Sequence, residues 1–127
     1  MSVRIDVEGL DGVLDGLEDF DNGIKTIGEG LLHSVETNLL PDLEEASASV
    51  WNVSTGAYSN SWYAVPVGSE SVVVANPVVY AAPLEFGWTA RNGRFVSSPG
   101  VLFPTVLNRM DSIRQGLVEW LMNHLGL

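Results

Sequence analysis

Cysteine is absent from these 127 residues, which removes disulfide frameworks, thiolate metal sites and thiol nucleophiles together. Bases are scarce as well: six Lys and Arg stand against sixteen Asp and Glu, a formal net charge of −10. Affinity for nucleic acid or anionic lipid comes largely from cations that meet phosphates, so this balance argues against an unaided binder of either. Charge of both signs is thin, at 17% of residues where a soluble domain usually carries about 25%. Long apolar runs are missing too. No stretch approaches about eighteen uninterrupted apolar residues, and the start MSVRIDVEG has no apolar centre, so neither a membrane span nor a signal peptide is expected.

What is present is apolar surface in surplus. Hydrophobic residues make up 46% of the chain and glycine adds thirteen positions, more than a small domain needs for one interior. That excess points to contacts between subunits of a single domain spanning 1–127. The charge is bipolar along the chain. Residues 1–45 hold twelve acids and two bases, whereas 46–127 hold four of each, with all four bases (Arg91, Arg94, Arg109 and Arg114) between 91 and 114. The acidic half is either a solvated helical face or one side of an acidic-to-basic contact between copies.

The hydrophobic period changes several times. Val3, Ile5 and Val7 alternate with polar residues, as in a half-buried strand. Leu10, Val13, Leu14, Leu17 and Phe20 form a helical stripe that ends at an expected break, Asn22-Gly23. Ile24, Ile27, Leu31, Val35, Leu39, Leu43, Ala46 and Val50 then predict a long helix over 24–50, bent or interrupted near Asn38–Pro41. Residues 51–56 end it with a turn. The segments 62–67, 71–75 and 78–81 predict an antiparallel β-meander, and Trp88–Val96 a hairpin turning at Asn92-Gly93. Pro104 suits the first turn of a closing helix whose apolar stripe is Val106, Leu107, Met110, Ile113, Leu117, Leu121 and Leu125. The fold class is therefore α+β: an antiparallel β-meander packed against a long N-terminal helical segment and a C-terminal helix.

Candidate chemistry is sparse. His33 and His124 have no acid at a spacing that builds a metal site, and both read as surface or helix-end histidines. Ser54-Thr55-Gly56 lacks the flanks of a phosphate loop or a nucleophile elbow. No catalytic constellation, cofactor site or metal site emerges, and no enzymatic role is expected. One carboxylate stands out, because Glu85 lies in the nearly apolar run Tyr80–Trp88. Drawn into such surroundings, it needs a cation or backbone N–H partners, and the nearby arginines are the obvious cations. Alternatively it points outward from an edge strand.

The order of these motifs resembles a known family. Thr55-Gly56-Ala57-Tyr58 with Ser61-Trp62 is similar to the TG-x-L…S element of tailed-phage neck proteins. Tyr80-Ala81…Leu84-Glu85-Phe86-Gly87 is similar to that family's YA…E-[aromatic]-G signature, and Val101-Leu102-Phe103-Pro104-Thr105 to its approach to the last helix. Tyr58 departs from the usual aliphatic residue, and Trp88 stands where Thr is frequent. The resemblance to these neck, head–tail joining or tail-completion proteins implies a virion protein assembled in the host cytoplasm. Its copies would form a ring, of six or alternatively twelve, at the head–tail junction. Its partners would be head-closure or adaptor proteins and tail-tube or tail-terminator proteins, with viral DNA passing through unbound and no membrane involved. An acidic DNA mimic that inhibits a nucleic-acid enzyme is the competing reading, which the basic segment 91–114 fits poorly. The hairpin carrying Trp88, Arg91, Arg94 and Phe95 is the expected contact element, its partner surface being the acidic residues 1–45 of another copy or a neighbouring neck or tail component. The duller alternative is a solubilising tip with its aromatics tucked into the core.

Overall fold

The computed structural model describes residues 1–8, 20–50 and 56–125, with backbone alone over 20–25 and at 125. The helix expected over 10–20 (Phe20 apart), the turn residues 51–55 and thus the motif residue Thr55 lie outside the described residues. In chain order the elements are β1 (Ser2–Asp6), α1 (Phe20–Asn38), α2 (Leu40–Val50), α3 (Ala57–Asn60), β2 (Tyr63–Val67), β3 (Ser71–Ala75), α4 (Ala81–Phe86), β4 (Trp88–Thr89), β5 (Phe95–Val96) and α5 (Leu102–Leu125). The fold is α+β, with antiparallel sheets, an N-terminal helical segment and a long C-terminal helix.

The valine run of β3 takes the centre of the main sheet, because a strand covered on both edges and one face favours β-branched side chains. β1 pairs on one edge, with Ile5 opposite Val72, and β2 on the other, with Val65 opposite Val73; both pairings are antiparallel. Period-2 alternation turns Ile5, Val72 and Val74 into the core, with Val3 and Ala64 half-buried beside them. On the outer face Arg4 and Ser71 hydrogen-bond to Asp6, and both bonds hold that carboxyl below its ordinary value.

The helices cover the inner face. Ile27, Leu31 and Val35 of α1 pack with Ile113, Leu117 and Leu121 of α5 in one cluster. Burying each such side chain contributes roughly 1.5–3 kcal/mol relative to exposure. Ser34 sits in this apolar crossing and donates to the Ile113 carbonyl at 2.6 Å, so its hydroxyl is satisfied. The expected interruption falls at Leu39, and Pro41 occupies the first turn of α2, where its missing N–H is not needed.

Four expectations are corrected. Asn22-Gly23 is not a break: the backbone is helical from Phe20 to Asn38. One helical glycine costs only about 1 kcal/mol, less than the packing of this 19-residue helix supplies. Residues 78–81 are not the third strand of the meander. Both edges of β3 are already taken, the Val78 N–H bonds to Asn76 Oδ1 at 3.1 Å, and the Ala81 N–H returns to the Val78 carbonyl at 3.0 Å. The third strand is β1. Leu107 leaves the apolar stripe and is 74% exposed, since it sits about 100° around the helix from buried Val106. Val50, at the end of α2, is likewise exposed.

Candidate docking surface

The run Tyr80–Trp88 folds around its carboxylate. Tyr80 precedes α4, Ala81 is fully buried in its first turn, and Pro83 is tolerated there because no N–H is yet required. Glu85 follows on the buried side at 6% exposure. Among the described residues no arginine reaches it, and it does not point outward from a strand, so the arginine and outward-strand alternatives are corrected and the backbone N–H alternative is borne out. Its partners are backbone N–H groups. Glu85 Oε1 accepts from Val101 at 2.7 Å and Leu102 at 2.6 Å, and Oε2 accepts from Phe103 at 3.2 Å. These are the orphan donors at the start of α5, and the next residue, Pro104, has no N–H to satisfy. The carboxylate therefore caps a 24-residue helix, where the helix dipole also favours negative charge.

Two glycines make this clasp possible. Gly100 has φ +77°, and a Cβ there would lie 2.7 Å from Glu85 Oε2. Gly87 has φ +90°, and a Cβ would lie 2.5 Å from the Val96 carbonyl oxygen and 2.7 Å from the Phe95 ring. Ser98 adds a hydrogen bond to the Leu84 carbonyl. The segment between Glu85 and Val101 is thus a loop closed at its base by a polar clasp.

That loop carries the expected hairpin. Trp88 pairs with Val96 and Thr89 with Phe95. At the tip the Gly93 N–H donates to the Ala90 carbonyl at 2.9 Å, and the Arg94 N–H to Asn92 Oδ1 at 3.0 Å. The aromatics are not tucked away, since Trp88 is 36% and Phe95 62% exposed. Phe86 projects beside them and meets Phe103 with ring centroids 5.8 Å apart. Leu107 stands one helical turn beyond Phe103. An exposed apolar patch thus joins α4, the hairpin and the first turns of α5, and such patches mark contact sites.

The arginines divide into two classes. Arg109 pairs with Asp42 of α2, and Arg114 with Asp111 at 3.1 Å. Arg91 and Arg94, exposed at the tip, have no carboxylate partner among the described residues. The remaining motif residues serve the core. Gly56 takes φ +69° immediately before α3, and Ser61 follows that helix half-buried. Tyr58 is fully buried against Trp62 and Tyr80, and its hydroxyl finds no partner among the described residues. Burial first, and the Glu85 charge second, push its ionisation well above the ordinary tyrosine value.

Phe103 and Leu107 are exposed beside this patch, although neither was an expected contact residue. Their i, i+4 spacing off the buried arc of α5 is the signal that could have found them. His33 and His124 are exposed, as expected, but they flank Trp120, at centroid distances of 4.8 Å and 3.8 Å. Among the described residues, no group of three His, Asp or Glu side chains is arranged to hold a metal, and no helix is long and apolar enough to cross a membrane. No family model, curated protein or solved structure matches the chain.

Proposed function

We propose that this chain is a structural subunit of a homo-oligomeric ring at the head–tail junction of a tailed virus. There it connects the capsid and portal side to the tail and forms part of the DNA conduit. The observation that carries this reading is the exposed Phe86–Trp88–Phe95–Phe103 patch, with two arginines at its tip that have no carboxylate partner among the described residues. A patch of this composition is what a subunit offers to a neighbour: aromatics and arginine are the residue types that dominate contact energies. Its support is built from the motif that resembles neck proteins, because Glu85 clasps the loop and Gly87 seats Phe95. The net charge of −10 suits a conduit through which DNA slides without adhering.

Mass spectrometry of purified virions tests the reading. The chain should be present at ring stoichiometry, a few copies per particle. Virions that lack it would overturn the proposal.

A further inference from the structure

We propose that the hairpin tip of one copy docks on the acidic α1–α2 surface of the next, so that assembly is head-to-tail. This rests on the ring reading above. The donor is Arg91 and Arg94 with the aromatic patch behind them, and the acceptor is Glu36 of α1 with Glu44 of α2. Both glutamates are exposed, and neither forms an ion pair among the described residues. From Thr26 to Val50 the chain contains no Lys or Arg, so neither helix supplies a base to this surface over that stretch. Of the other carboxylates of α2, Asp42 already belongs to Arg109, and Glu45 lies exposed beside Glu44.

Charge also selects between the two geometries open to a self-contact. An isologous pairing of two hairpin patches would bring four guanidinium groups together, none with a carboxylate partner among the described residues of its own chain. A heterologous contact places each tip on carboxylates instead. Repeated, that contact closes a ring if the rotation allows. The side chains concerned are exposed in the monomer, so the contact costs little desolvation at its rim and gains most from the aromatics at its centre.

Two charge-reversed variants test the contact: Arg91→Glu with Arg94→Glu, and Glu36→Arg with Glu44→Arg. Native mass spectrometry reads assembly of each variant alone and of the two mixed in equal amounts. Alone, each should associate at least ~100-fold more weakly than wild type, since like charges then face each other. Mixed, they should recover assembly, because every tip meets a surface of opposite sign in an alternating, even-numbered ring. No recovery from folded variants would overturn the inference, as would wild-type assembly by either variant alone. If a double variant does not fold, Arg94→Glu and Glu44→Arg carry the same test. Virions that contain the chain while mixing restores nothing would overturn this self-contact only, and the tip would then serve another neck or tail protein. Virions without the chain would overturn the ring reading itself.

Discussion

Glu85 Oε1 and the Leu102 N–H lie 2.6 Å apart although 17 positions separate them in the chain. This bond and its two neighbours tie the end of α4 to the start of α5, and the whole hairpin hangs between them. A buried carboxylate has here become a helix cap acting at a distance. The clasp therefore links a motif residue to the stability of α5 and to the position of the exposed patch.

Replacing Glu85 by Ala should cost about 3 kcal/mol in urea unfolding, because two buried N–H groups and a part-buried third lose a charged acceptor. Glu85→Gln keeps an acceptor but not the charge and should cost about 1–2 kcal/mol. Equal, negligible losses in both variants would contradict the clasp.

Gly100→Ala should destabilise by at least about 1–2 kcal/mol, since an L side chain disfavours the left-handed backbone at φ +77°. The new methyl would also crowd Glu85 Oε2. Combining it with Glu85→Ala should give less than the sum of the two losses, which a double-mutant cycle would measure.

Tyr58 gives a pH dependence with a defined sign. Its ionisation is raised in the folded chain by burial and by Glu85, whereas in the unfolded chain it titrates near 10. Below that value both states keep the proton and stability does not depend on this group. Above it the unfolded state releases the proton first, so stability falls by up to about 1.4 kcal/mol per pH unit. Tyr58→Phe should remove this contribution to the alkaline loss. It should be neutral or mildly stabilising at pH 7, because the hydroxyl it deletes is buried without a partner among the described residues.

Phe86→Ser and Phe95→Ser should change stability by less than about 1 kcal/mol, as both side chains are more than half exposed. They should nonetheless reduce self-association measured by sedimentation. A large loss of stability with assembly intact would mean that these rings belong to the core.

Local periodicity made most of the scaffold legible. The alternation at Val3–Val7 is β1, the valine run is β3, and the proline-interrupted stripe is α1 and α2. What misled was the segment after Asn76, where apolar residues suited a strand as well as a helix. Asn76 itself, buried and bonded to the Tyr58 carbonyl and the Val78 N–H, diverts the chain, and such side-chain bonds leave no periodic trace. Glu85 was legible as a residue in need of partners. That those partners were N–H groups depended on α5 returning to it, a tertiary fact. The Asn92-Gly93 turn was readable from its residues, but the exposure of Trp88 and Phe95 followed only from the place of the hairpin outside the core.

The most direct measurement is electron microscopy of particles made without this chain. If the chain is the proposed ring subunit, infection by a tailed virus deleted for its gene should accumulate DNA-filled heads and separate finished tails, and supplying the wild-type chain should join them. Intact, joined virions in the deletion would contradict the account.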